Sequence, residues 1–195
     1  MQSPLRYPGG KSNFVSTISQ IVRDSNLDEL PFFEPYAGSA AISLGLLKVQ
    51  LVKHVTILEK DPLIYCFWKA VFENTDELVS KFEKLPITLE TWHDFQKFLK
   101  LSEIDESKIV EIGLAGLFFN RANFSGILNG GPIGGKQQKS EYTIDCRTNK
   151  TNLIRRIKEI SKYNKKVSIV YGDALDLINQ HSRKTKALFY IDPPY

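Results

Sequence analysis

Short apolar runs alternate with longer amphipathic stretches along the 195 residues, and an acid closes each run or follows close behind it. Pro31-Phe32-Phe33-Glu34, His54-Val55-Thr56-Ile57-Leu58 before Glu59, Lys166-Val167-Ser168-Ile169-Val170-Tyr171 before Gly172-Asp173, and Ala187-Leu188-Phe189-Tyr190-Ile191 before Asp192 read as strands. Their brevity and their β-branched and aromatic content support this, and the last reads as buried. Between them the spacing is helical. It predicts a helix from Lys11 to about Val22 and another opening at Pro62 that turns Tyr65, Phe67, Trp68 and Val71 inward. Residues 73 to about 108 form an amphipathic stretch, with Leu78, Phe82 and Leu85 on one face and Trp92, Phe95 and Phe98-Leu99 making a second stripe. An apolar helix over 108–119, a basic helix over about 150–163 and a short one over 175–178 complete the pattern. Strands separated by helices predict an α/β fold with a parallel sheet, which binds ligands at the carboxyl ends of its strands.

Spacing divides the chain further. Four parallel strands need about 100 residues at roughly 30 per β-α unit, yet Gly38 and Asp192 lie 154 positions apart. The surplus falls between the second and third strands. Residues 1–72 and 166–195 are therefore expected to form a discontinuous ligand-bearing domain. Residues 73–165 are expected to form an inserted, mostly helical module with a glycine-rich loop, placed to grip a macromolecule.

Composition is that of an ordinary soluble protein, with 42% hydrophobic and 25% charged residues. No apolar run is long enough to span a bilayer and no signal-peptide core is present, so a cytoplasmic location is expected. Cys66 and Cys146 suggest neither a disulfide framework nor a zinc site, and His54, His93 and His181 make no metal-ligand pattern. The net charge of +4 decides little, but its distribution adds something: residues 136–166 hold ten Lys or Arg against three acids. Such a stretch suits phosphate contact. Arg121, Lys136, Lys139 and Arg147, in or near the loop Asn129-Gly130-Gly131-Pro132-Ile133-Gly134-Gly135-Lys136, are the candidates to reach DNA phosphates or base edges.

The densest chemistry is Asp192-Pro193-Pro194-Tyr195. Two prolines cannot donate to a β-ladder, so an acid, free carbonyls and an aromatic ring are left at a strand end. A carboxylate and a carbonyl accepting the two hydrogens of an exocyclic amine would localise its lone pair for attack on a methyl donor. The ring would stack on the base. Asp192, the Pro193 carbonyl and Tyr195 can take these parts. Upstream, Pro8-Gly9-Gly10 permits a tight turn delivering Tyr7 and Lys11 to a small ligand; the remaining features of a phosphate loop are missing. Glu34-Pro35-Tyr36-Ala37-Gly38-Ser39 reads as a strand end and small-residue turn into a helix. It departs from the dinucleotide fingerprint and points to a smaller adenosyl cofactor. Glu59, with Asp61 as second choice, is placed to bind ribose hydroxyls, and Asp173 lies at the same edge.

Taken in order, Tyr7-Pro-Gly-Gly-Lys11, Glu34-Pro-Tyr-Ala-Gly-Ser39, Asn120-Arg-Ala-Asn-Phe-Ser-Gly126 and Asp192-Pro-Pro-Tyr195 resemble the motifs of the D12 class (alpha-type) DNA adenine-N6 methyltransferases across essentially the whole chain. The resemblance implies a Rossmann-like sheet, S-adenosylmethionine as methyl donor, and a flipped adenine in double-stranded DNA as acceptor. It implies no metal and no covalent intermediate. Tyr7, Lys11, the Glu34–Ser39 turn, Glu59 and Asp173 would line the cofactor. Asp192 would bridge cofactor and amine within a catalytic set completed by Pro193, Pro194 and Tyr195. Asn120 and Arg121 would lie by the DNA. A restriction–modification or phage setting follows, with a cognate restriction endonuclease as companion in the former. Family members continue past this last motif, so the C-terminal part of the sheet and base pocket is expected to be missing and the activity of these residues alone to be poor. Cytosine-N4 methylation and a non-catalytic DNA- or cofactor-binding remnant are the alternatives; Asp rather than Ser at position 192 favours adenine.

Overall fold

The computed structural model describes residues 1–7, 11–182 and 186–193. Pro8, Gly9, Gly10, Pro194 and Tyr195, and with them the N-terminal turn and the stacking residue expected above, lie outside the described residues. The elements in order are α1 (Val15–Asp24), β1 (Phe32–Glu34), α2 (Ala41–Lys48), β2 (Val55–Glu59), α3 (Pro62–Glu73), α4 (Thr75–Lys84), α5 (Leu89–Phe95), α6 (Ile109–Ala122), α7 (Lys150–Ser161), β3 (Val167–Tyr171), α8 (Ala174–Ser182) and β4 (Leu188–Phe189).

The four strands form one parallel sheet in the order β3-β2-β1-β4. From β1 the chain moves outward one way through β2 and β3, then returns to place β4 on the other side of β1. The carboxyl ends of β1 and β4 thus flank the point where the order reverses, and a crevice opens there in such sheets. β1 and β2, with a neighbour on each side, are buried apart from half-buried Thr56. Side chains alternate between faces as a strand requires: Phe32 and Ile57 enter the main core, and Phe33 and Leu58 meet Ala174 and Leu177 of α8 behind the sheet. The run 187–191, expected to be a buried strand, is a correction. Its ladder covers only Leu188–Phe189, its side chains are half-buried, and Ile191 is exposed, because β4 pairs with β1 alone among the described residues.

α3 is the central helix. Asp61 caps it by accepting from the Leu63 and Ile64 N–H groups, and Pro62 at its first turn needs no donor. Nearly all of it is buried, and α6 crosses it at close range. A Cβ on Gly113 would lie 2.6 Å from the Cys66 carbonyl oxygen, and one on Gly116 would lie 2.6 Å from that of Leu63. Only glycine lets these backbones meet. α6 runs three residues beyond the Phe119 expected from the pattern, which puts Asn120 and Arg121 on the helix. The 73–108 stretch breaks at Leu85, which turns extended ahead of Pro86. The buried face of α7 (Leu153, Ile157 and Ile160) joins the core shared by α2, α3, α4 and α6, so residues 73–165 pack as part of one hydrophobic interior. Among the described residues no helix is long and apolar enough to cross a membrane.

Candidate active site

The turn after β1 is built around Gly38. Its φ of +47° is left-handed, and a Cβ there would lie 2.9 Å from Cζ of Tyr7, whose ring rests on it. Gly38 N–H donates to Glu59 Oε1, and the Gly38 carbonyl accepts from Trp68 Nε1 at 2.9 Å. Ala37 N–H reaches back to the Leu58 carbonyl at 3.2 Å. Both polar groups of the glycine are thereby fixed by residues of β2 and α3, and α2 begins just after it through Ala40, itself at φ +49°. Pro35 and Ala37 are buried; Tyr36 and Ser39 are half-buried.

Three carboxylates converge on this edge. Glu34 ends β1 and accepts from Ser43 N–H at 2.9 Å. Burial pushes its pKa up to about 7, against the bonds from Ser43 and Ile42, and nearby Asp192 adds to the rise. Glu59 ends β2, and burial raises its pKa to about 8 although the Gly38 N–H favours the charged form. Burial, with the charges of Glu59 and Asp61, also raises Tyr7 to about 12. The third is Asp192. Tyr190 N–H donates to the Phe33 carbonyl at 2.8 Å, and Phe189 stacks on Phe33 at 5.0 Å, so β4 delivers Asp192 beside the end of β1. There it forms an ion pair with Lys11 at 3.4 Å.

The raised carboxylates carry a pH dependence whose sign is fixed. Unfolded, both acids ionise near 4.5; folded, they hold their protons to about 7 and 8. Between these limits the folded chain holds more protons on these two acids, so their contribution to stability is highest below the lower limit and falls as pH rises towards 8. Glu59→Gln keeps an acceptor for Gly38 and removes one ionisation. Denaturant midpoints taken on both sides of this window should therefore decline less in the variant than in the wild type. An equal decline would show that Glu59 is charged throughout.

Other expected residues fall at the margin of this cluster. Asp173 follows β3 on the same edge but is paired with Lys60 at the surface, 2.9 Å away, which holds its carboxyl below the usual range. Asp61 is occupied as the cap of α3. Pro193 is exposed beside Asp192.

A second constellation surrounds the end of α6. Asn120 is fully buried, with its amide bonded to Arg6 and Gly126. Arg121 is 8% exposed, its Nε has no partner, and burial with nearby Arg156 and Arg6 lowers its pKa to about 10. Beyond it the turn 123–128 projects Phe124 and Ile127, 61% and 53% exposed. Buried Asn123 braces that turn. It accepts from Trp92 Nε1 at 2.8 Å and donates to the carbonyls of Ile127 and Leu128. Lys136, Lys139 and Arg147 are exposed further along. Trp68, Trp92 and Asn123 were missed as site-building residues. The readable signal was that a tryptophan or asparagine inside an apolar stripe needs a partner for its polar group.

A four-stranded parallel sheet flanked by helices, with a glycine turn, buried carboxylates and an Asp-Pro strand end gathered at one edge, is an α/β fold consistent with a methyltransferase. The chain belongs to the D12 class N6 adenine-specific DNA methyltransferase family, whose model matches residues 7–195. Its activity is methylation of the N6 amine of adenine in DNA. No curated protein matches the chain.

Proposed function

We propose that the methyl group comes from S-adenosylmethionine and is transferred to adenine in duplex DNA at the edge where β1 and β4 part. The observation that carries this reading is the gathering of Asp192, Glu34 and Lys11 beside the Gly38 turn. The strand order supports a Rossmann-like sheet. The residues suit an adenosyl sulfonium: a tight glycine turn at Gly38 with the Tyr7 ring laid on it, bordered by Glu34, Glu59 and Asp192. Bound there, the donor supplies an electrophilic methyl on a cationic sulfur. Glu59 keeps one carboxylate oxygen for the ribose, and Asp173 borders the same ligand. Asp192 and the Pro193 carbonyl accept the hydrogens of the amine, which restores its lone pair, and Asp192 is the first acceptor for the proton the amine sheds. Tyr195 is the partner assigned to the face of the base.

The DNA-binding unit is residues 73–165. Phe124 and Ile127, apolar and exposed on a braced turn, are suited to wedge against base pairs. Lys136, Lys139 and Arg147, with Lys158 and Lys162 beside the Arg155–Glu159 pair around a groove of about 490 Å³ on α7, supply positive charge for the backbone, while Arg121, expected to reach the DNA, is buried and adds its charge from beneath the surface. A cognate restriction endonuclease is the partner this activity would have in a restriction–modification system.

Labelled S-adenosylmethionine incubated with duplex DNA should leave its methyl group on N6-methyladenine after digestion; label on N4-methylcytosine would overturn the assignment. Binding should also weaken with salt. Replacing Lys136, Lys139 and Arg147 together by alanine is expected to flatten the log–log salt dependence by about one unit for each phosphate that is no longer neutralised. An unchanged slope would remove these three from the interface.

A further inference from the structure

Asn120 has no exposed surface, and all of its amide bonds span distant parts of the chain or the turn beyond α6. Its Oδ1 accepts from Arg6 N–H at 2.7 Å, and its Nδ2 donates to the Arg6 carbonyl at 2.7 Å and the Gly126 carbonyl at 3.1 Å. One side chain thus satisfies both backbone groups of a residue 114 positions away, as a neighbouring strand would. Arg6 is followed by Tyr7, whose ring lies on Gly38. Gly126, at φ +78°, belongs to the turn that presents Phe124 and Ile127, and a Cβ on it would sit 2.9 Å from the Arg6 carbonyl oxygen. Contacts therefore run without a break from the Gly38 turn through Tyr7, Arg6 and Asn120 to Gly126. The second brace of that turn, Trp92 on Asn123, does not touch residues 1–7 among its bonds.

We propose that Asn120 is a positioning residue that couples the two ligand sites, so that a ligand on the Gly38 turn and DNA on the Phe124–Ile127 turn each tighten the other. The inference rests on the functional reading above. A ligand at the Gly38 turn meets Tyr7, whose ring rests on that glycine, and so restrains the Arg6 backbone; through Asn120 that restraint reaches Gly126 and fixes the turn DNA must meet. By linkage the effect is reciprocal: DNA must raise cofactor affinity by the factor by which cofactor raises DNA affinity.

The test measures S-adenosylhomocysteine affinity by calorimetry with and without mixed-sequence duplex DNA. Wild type is expected to show tightening of about fivefold or more, the usual lower range of such coupling. Asn120→Ala should abolish the tightening while each ligand still binds alone. Gly126→Ala attacks the same link from its other end and should do likewise, which keeps the question open to decision if the asparagine variant folds poorly. Trp92→Phe, which removes the other brace, should lower thermal stability yet retain the coupling. Wild-type coupling in Gly126→Ala or in folded Asn120→Ala, or an equal loss in Trp92→Phe, would overturn the proposal. Binding of both ligands by wild type without coupling would sink this inference alone, whereas failure to bind either would sink the functional reading as well.

Discussion

Asp192→Ala is expected to reduce methyl transfer about 10²–10³-fold, the cost of losing one preorganised partner of a transition state, while duplex DNA binds much as before. The reasoning follows from position. Asp192 stands past the last ladder residue of β4, beside Glu34, with Lys11 at 3.4 Å as its counterion. Neither the sheet nor the exposed basic surface needs its carboxylate, so its removal should act on turnover. Loss confined to kcat, with little change in KM for DNA, marks an interaction made chiefly in the transition state. Asp192→Asn is the finer probe: it keeps shape and one acceptor but offers the amine a competing donor, and should recover little of the activity. Should Asp192→Ala retain wild-type turnover, the amine chemistry assigned to this edge would be wrong. A parallel collapse of DNA binding would instead make Asp192 a structural residue.

Trp68→Ala is the substitution with the largest expected cost in stability. The side chain has no exposed area, contacts Phe67 and Phe72, and donates from Nε1 to the Gly38 carbonyl at 2.9 Å. Truncating a core tryptophan to alanine costs about 3–5 kcal/mol, a large part of the usual total for a domain. The purified variant should show a fall in denaturant midpoint of that order. Trp68→Phe separates packing from the bond. It refills most of the volume but leaves a buried carbonyl unpaired, which costs about 1–3 kcal/mol. Because that carbonyl belongs to Gly38, the phenylalanine variant should lose affinity for S-adenosylhomocysteine beyond what its lower stability explains. Unaltered affinity would mean that the turn keeps its shape without Trp68.

Much of this architecture could be read from residue order because it is written locally. β1, β2 and β3 announce themselves as short apolar runs, and the acids that follow, Glu34, Glu59 and Asp173, come to one edge because parallel strands all end on the same side. Asp192 joins them for the same reason. The helix at Pro62 was legible from its first-turn proline, whereas the capping role of Asp61, read in the sequence as a second choice for the ribose, shows only in the structure. What escaped depends on partners far along the chain. The bond of Trp68 to Gly38 spans 30 positions and that of Asn120 to Arg6 spans 114; no periodicity encodes either. Asn120 was expected at the DNA surface, yet the structure buries it, because α6 continues past Phe119 into the interior. The half-exposed state of β4 was also illegible, since an apolar run looks alike with one neighbour or two. Gly113 and Gly116 carried a readable hint, two small residues on one helical face, that a backbone would come close.

That near-contact between α6 and α3 bears on how the enzyme would meet its target. α3 starts just after the carboxyl end of β2 and α6 ends at the exposed turn, and glycines at 113 and 116 bring the two backbones into direct contact. Any adjustment between the two helix ends is then left to the loops beyond them, the Gly38 turn and the 123–128 turn, and not to a slide of one helix on the other. On the proposed reading, the larger deformation in bringing an adenine to Asp192 would fall on the double helix, whose stacked bases would have to open.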